Sequence, residues 1–211
     1  FGIRALTAKL ATRAIDPNTI DALLITHEHA DHIAGAASVA ARYNIPIYAT
    51  HGTLAAHTKI KKRDIPFVAL DSNTDFQIGN IQAHAYTVPH DARQPIQFTF
   101  QVEQAKLGIL TDVGCITPLI EQQLSDCHAL FLEFNHDEAL LAQNKRYPPS
   151  LIARIKGDNG HLSNQQSMAL LQKIQSSQLS TVVAAHLSQE NNHADLVAQL
   201  LATHTTIPKQ M

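Results

Sequence analysis

The stretch "THEHADH", Thr26 to His32, sets three histidines and two acids within the six residues from His27 to His32. Imidazole mixed with carboxylate suits Zn²⁺, Mn²⁺ or Fe, whereas an all-oxygen set would suit Mg²⁺ or Ca²⁺. Side chains two apart in an extended loop point the same way, so His27 and His29 can aim their rings at one point. Asp31 and His32 come where the chain turns into a helix, and they project toward a second point a few ångströms away. That layout is half of a two-metal site. The pattern HExxH is excluded, because it needs a histidine where this chain has Asp31. A polar helix start that is merely His-rich is the bland alternative, and the density of ligand types weighs against it.

The elements around this stretch must hold it in place. Residues 20–26, "IDALLIT", read as a buried strand, 32–43 as a helix and 45–49 as a strand, after which Thr50 caps a helix to about residue 60. The ligand-rich stretch thus lies at a strand-to-helix junction, where α/β proteins commonly carry their chemistry. From 66 to 111 the period shortens, and "FVAL", "FQIG", "IQAHAYTV", "IQFTFQVE" and "KLGILT" read as strands separated by turn residues such as Gly79 and Asn80. A helix at 117–124, the strand "HALFLEF", helices near 137–143, 149–156 and 163–176, the strand "LSTVVAAHL" and a helix at 192–203 complete the pattern. The opening "RALTAKLATRA" reads as an amphipathic helix. One layered α/β domain over residues 1–211, with a strand-rich middle, is the economical architecture.

Composition narrows the function classes. The 211 residues are 45 % hydrophobic, enough to bury one sizeable core. A formal net charge of −2 leaves no global basic field, although a local groove can still be basic. Thirteen histidines stand beside only 5 % aromatic residues and no Trp. Cys115 and Cys127 are too few for a disulfide framework and lack CxxC spacing, so a reducing, cytoplasmic setting is expected, with both as small apolar residues. No apolar run reaches the roughly 18 residues of a membrane span and no leader pattern opens the chain. The chain begins at Phe1, not at a methionine, so its natural start is expected to lie outside it.

The stretch resembles the T-H-x-H-x-D-H signature of the metallo-β-lactamase fold hydrolases. Later positions of that family are matched in order by His90 in "YTVPHDA", Asp112 in "LGILTDVG" and His186 in "VVAAHLS". The resemblance implies an αββα sandwich with two divalent metal ions, Zn or Mn, at the edge between its sheets. His27, His29 and His90 would hold the first metal, Asp31, His32 and His186 the second, and Asp112 would bridge them. "LEFNHD", "YPPSLIARIKGDNGHLSN" and "AHLSQENN" are similar to the YycJ or WalJ branch, whose arrangement is like that of ribonuclease Z and which implies double-stranded DNA exonuclease activity. His161 in "GHLSN" matches a non-ligand histidine that contacts the scissile phosphate. Glu133 and His136 fall where such sites place a supporting acid and a histidine, although "NHD" departs from the ribonuclease Z motif. Family members begin with two or more strands, a Ser/Gly-rich loop and an Asp that have no counterpart before "FGIRAL", so unpaired sheet edges are expected.

The chemistry implied is phosphodiester hydrolysis. Two metals about 3.5 to 4 Å apart activate a bridging water to hydroxide, clamp the phosphate and stabilise the leaving oxygen. Asp31 would accept the proton of that water, and His161 would donate a hydrogen bond or a proton on the other side. The partner is then nucleic acid, DNA first, or a small phosphodiester such as a cyclic ribose phosphate, with no membrane. A thioester hydrolase of the glyoxalase II kind shares "THxHxDH" but gives no reason for "GHLSN", and a ligand-depleted scaffold would not retain seven ligand-type residues.

The remaining candidates have plain alternatives. "KIKKR", residues 59–63, can hold a nucleic-acid backbone or be a solvated helix end. Ser163, Asn164, Ser188, Asn191 and Asn192 can bind phosphate or cap helices. Arg154 can face phosphate or solvent. His51, His57, His84, His128, His193 and His204 match no site position and read as ordinary histidines.

Overall fold

The structure, a computed structural model, describes residues 2–56, 65–174, 176 and 178–204. A small parallel sheet has the order β1 (Leu23–Leu24), β2 (Ile47–Thr50), β3 (Phe67–Leu70). A six-stranded sheet runs in sequence order through β4 (Thr74–Ile78), β5 (Ile81–Thr87), β6 (Ile96–Val102), β7 (Ala105–Leu110), β8 (Ala129–Glu133) and β9 (Thr181–Ala185). Its first four strands are antiparallel neighbours and its last three are parallel. Tight turns suffice for the former; Gly79, at φ 57°, closes the β4–β5 turn. The parallel strands need crossovers, which the helices supply.

Those helices are α1 (Ile3–Ala11), α2 (Ala30–Ile33), α3 (Ala36–Tyr43), α4 (His51–Ala56), α5 (Pro118–Leu124), α6 (Glu138–Gln143), α7 (Pro149–Lys156), α8 (Asn164–Ile174) and α9 (Ala194–His204). Strand alternation sends one face of each sheet to helices and the other to the opposing sheet. Leu110, Leu130, Leu132 and Val182 pack against Ile120, Leu171 and Val197 of α5, α8 and α9. Ile47 and Ala49 pack under Ala37 and Ala40 of α3 and Leu54 of α4. Between the sheets, Leu24, Tyr48 and Leu70 meet Phe76, Ile96 and Phe98. The layering is αββα, as the resemblance implied. Each fully buried aromatic or branched side chain in these layers is worth about 1.5–3 kcal/mol.

Two departures from the sequence reading bear on function. The strand read at 20–26 shrinks to Leu23–Leu24, because after Ile25 N–H bonds Tyr48 O the chain peels away, and Thr26 O accepts from Ile96 N in the other sheet. The helix read at 32–43 is two helices separated around Gly35, a poor helix former, which frees the four-residue α2 to take its own direction. Among the described residues β1 pairs on one side only, and the inter-sheet face of β7–β9 carries Ile109, Phe131 and Val183 with Phe131 41 % exposed. His57 and the basic run Lys59–Arg63 lie outside the described residues, as does the side chain of His204.

Candidate metal centre

The loop that leaves β1 is extended through His29 (φ −60°, ψ 146°), then enters α2. His27 is buried, with Thr26 Oγ1 3.0 Å from its Nδ1, which leaves Nε2 facing inward. His29 Nδ1 lies 3.2 Å from Nε2 of His90, the residue that follows β5 by three positions. His90 in turn donates from Nδ1 to Gly160 O at 3.2 Å, which fixes its tautomer and turns Nε2 inward. One helical turn away, His32 Nε2 lies 3.4 Å from Asp31 Oδ2 and 3.3 Å from Asp112 Oδ2. His27, His29 and His90 thus form one group of donors and Asp31, His32 and His186 another, the donor atoms in each lying within 4.8 Å of one another.

The other half of the site comes from parallel strand ends. In register, Leu110 lies beside Leu132 and Leu132 beside Ala184, so the residues just beyond them emerge at one sheet edge. Asp112 and His186 both turn back toward that edge in the left-handed region, at φ 56° and 55°. Non-glycine residues in that region cost conformational energy and cluster at functional sites. Asp112 sits between the groups, with Oδ1 3.3 Å from His186 Nε2 and 4.0 Å from His90 Nε2. Burial alone would raise its pKa, but the close His32 imidazole, 3.3 Å from Oδ2, and the fields of His186 and His27 hold it well below the usual carboxylate range.

Glu133, at the end of β8 and 0 % exposed, organises this edge. Its Oε1 accepts from His186 Nδ1 at 2.8 Å, His161 Nδ1 at 3.0 Å and Asp112 N at 3.1 Å; Oε2 accepts from Leu162 N at 3.0 Å and Val113 N at 3.3 Å. These donors outweigh burial and keep Glu133 ionised, its pKa lowered chiefly by His161 and His186. His186, whose pKa burial lowers, is carried up to about 9 by Glu133 and Asp112. His27 goes the other way, to about 3, through burial and then the field of His32. His161 reaches the site because the loop after α7 packs tightly. A Cβ on Gly160 would come within 2.2 Å of Arg154 O and Ile155 O, and one on Gly114 within 2.3 Å of Asp158 O.

The other candidates divide. His136 is buried behind this edge, its Nδ1 unpartnered and its pKa lowered by burial, and it joins none of the donor groups. Asp91 was missed, although it adjoins His90 in "PHDA": its Oδ1 lies 3.6 Å from Nε2 of both His29 and His90, and Oδ2 accepts from Arg154 Nε at 2.5 Å. Ser163 caps α8 in a reciprocal box with Gln166, Ser188 accepts from Asn191 N, and Asn164 and Asn192 pair in the interior. Those five candidates are engaged in structure. His84 binds Asp75, His128 accepts from Lys106 N, and His51 and His193 lie at the surface. Cys127 is buried, which with the field of Asp126 carries its thiol up to about 11 against the opposing pull of Lys106; both cysteines are free.

The residues fit metal ions. Nitrogen ligands about 2.0–2.1 Å from a tetrahedral ion stand about 3.3 Å apart, close to the 3.2 Å between His29 Nδ1 and His90 Nε2. His27 Nε2 and Asp112 Oδ2 are buried without a hydrogen-bond partner, an arrangement costly for polar atoms that have nothing to bind.

An αββα sandwich carrying two such His/Asp groups at one sheet edge defines a metallo-β-lactamase fold protein, a fold that implies divalent metal ions. The chain belongs to the β-lactamase superfamily, whose domain it matches over residues 1–186. Exodeoxyribonuclease YycJ from Bacillus anthracis is 29 % identical over 199 residues, 92 % of this chain and 74 % of that protein. Exodeoxyribonuclease WalJ from Streptococcus pneumoniae is 28 % identical over 214 residues, 99 % of this chain and 76 % of that one. The metallo-β-lactamase fold protein YhfI from Bacillus subtilis superposes with a TM-score of 0.76 at 14 % identity, covering 99 % of this chain and 80 % of that chain.

Proposed function

We propose that this chain, acting as one domain, is a metal-dependent phosphodiester hydrolase and, more narrowly, a cytoplasmic DNA exonuclease. The observation that carries the reading is His161, an imidazole outside both triads that groups instead with Asp112, Glu133 and His186 and whose Nδ1 is taken up by the buried Glu133 carboxylate, which leaves Nε2 free to act on substrate. The names of the YycJ and WalJ relatives support DNA as the substrate. A thioester hydrolase would have no task for His161.

In this reading His27, His29 and His90 would hold one metal and Asp31, His32 and His186 the other, with Asp112 placed between the two groups. The mixed imidazole and carboxylate set suits Zn²⁺ or Mn²⁺. Bound metals would supply Lewis acidity, polarising the phosphate and lowering the pKa of water. Asp31, whose side chain is exposed, accepts the proton of the attacking water. His161 Nδ1 is occupied in donating to Glu133, so a proton for the leaving oxygen comes from Nε2. The buried Asp112 and Glu133 keep the histidines in register while the substrate enters from the open side.

Elemental analysis of the purified protein, followed by assay on 5′-labelled duplex DNA, single-stranded DNA and bis(p-nitrophenyl) phosphate, tests the reading. Two transition-metal ions per chain with stepwise shortening of duplex DNA is the expected result. Trace metal only, or turnover of a cyclic nucleotide with no cleavage of DNA, would overturn it, the latter in favour of a small-molecule phosphodiesterase.

A further inference from the structure

Beside the metal centre, on the His161 and His186 side, lies an open cleft of about 280 Å³ whose Tyr147, Leu151 and Leu187 the chemistry just described does not use. Tyr147, Leu151, Leu187 and Arg154 line it beside the polar Asn135 and Ser188. Two imidazoles, His161 and His186, with ring centroids 5.2 Å apart, line the side toward the metal centre. The size falls just below the range of about 300–1,000 Å³ usual for ligand pockets, so it suits one nucleoside and not a base pair.

Tyr147 is held in place by its neighbours. Asn144 Oδ1 accepts from Arg146 N at 2.9 Å and Tyr147 N at 3.2 Å, and Asn144 Nδ2 donates to the buried Asn191 at 2.6 Å. Pro148 and Pro149 follow at once, and a residue before proline has little backbone freedom. The ring is half-buried, and its hydroxyl has no hydrogen-bond partner among the described residues. A fixed aromatic face beside Leu151 and Leu187, in a cleft that also carries polar side chains, is what a nucleoside can stack on. Arg154 is aimed by Asp91 through Nε, and its side chain is 57 % exposed, so its terminal N–H groups point where an anion can reach them.

We infer that this cleft is a nucleoside subsite: it seats the nucleoside whose oxygen leaves, with the base on Tyr147 between Leu151 and Leu187 and Arg154 on an adjoining phosphate. This rests on the nuclease reading of the centre. The cleft beside His161 has room for one nucleoside.

Binding of deoxyadenosine 3′-monophosphate and 5′-monophosphate to the metal-loaded protein, each compared with inorganic phosphate by titration calorimetry, tests it without an activity readout. The better nucleotide should bind roughly tenfold to a hundredfold more tightly than phosphate, the usual worth of one stacked base. Tyr147→Phe should keep that preference, and Tyr147→Leu and Tyr147→Ala should erase it, with metal content and circular dichroism showing that each variant is folded and loaded. Two variants guard against one failing to fold. Equal binding of nucleotide and phosphate, or a preference that survives Tyr147→Leu, would overturn the subsite even if the protein cleaves DNA. Tyr147-dependent nucleotide binding with no phosphodiester cleavage would uphold the subsite and sink the nuclease reading.

Discussion

Glu133 and His186 are joined by a 2.8 Å hydrogen bond from Nδ1 to a carboxylate oxygen that also accepts from His161. One buried charge therefore orients both a candidate metal ligand and the candidate proton donor. Glu133→Gln keeps the shape but replaces one acceptor oxygen with an NH₂, which would face N–H groups that now donate to it. We expect a loss of stability of about 1–3 kcal/mol from unsatisfied donors. Affinity for the second metal should fall about 10- to 100-fold, as when outer partners of a ligand are removed. Urea unfolding and metal competition on the same protein check both; wild-type values in either would remove Glu133 from this role.

The two metals should load at different pH. His186, with its pKa raised to about 9, carries a proton at neutrality that the second metal must displace, so apparent affinity there should rise about tenfold per pH unit below about pH 9. His27, lowered to about 3, has no proton to lose, and His90 is lowered too. Zinc titrations at pH 6, 7 and 8 should show a strongly pH-dependent second equivalent, and His32→Ala or His186→Ala should empty it first. Equal pH slopes for both equivalents would contradict the assignment.

Metal-free protein should also be most stable near neutrality. The raised His186 contributes stability that is fully present below pH 6.5 and is lost as pH rises through about 9. The buried, lowered His27, His90 and His136 work in the opposite sense, since the unfolded chain takes up protons below 6.5 that they refuse. The depressed Asp112 and Glu133 add a further loss in acid as they are forced to protonate. Urea unfolding of chelator-treated protein at pH 5, 7 and 9.5 should place the midpoint highest at pH 7.

His161→Ala should keep both metals while lowering the rate on DNA by on the order of 10²-fold or more, the usual size of a general-acid contribution. The defect should shrink on bis(p-nitrophenyl) phosphate, whose leaving group needs little protonation. Metal loss in this variant, or equal defects on both substrates, would make His161 a ligand or a structural residue.

Cleavage of DNA should weaken steeply with added salt, because each phosphate contact releases counterions. Charge reversal across Lys59, Lys61, Lys62 and Arg63 should flatten that slope. A salt-insensitive KM would point to a small substrate instead.

The cluster in "THEHADH" was legible without coordinates because its ligands are near neighbours: extended backbone aligns His27 with His29, and the start of α2 redirects Asp31 and His32. Short apolar stretches likewise marked all six strands of the large sheet, alternating in the antiparallel strands and nearly continuous in the parallel β8 and β9. Resemblance, not periodicity, pointed to His90, Asp112 and His186. What brings them together is parallel register, which sets the ends of β7, β8 and β9 at one edge, and two left-handed residues that turn the chain inward there. Glu133 shows the limit most clearly. In the apolar run "ALFLEF" its type could be noticed, but its work depends on five donors contributed by residues at 112, 113, 161, 162 and 186. The link from Asp91 to Arg154, the glycine contacts that seat the loop carrying His161 and the uncovered face around Phe131 were likewise decided only by folding. Local spacing is written in the chain; the meeting of distant residues, as far apart as Asp31 and His186, is set by which strands pair and in what register.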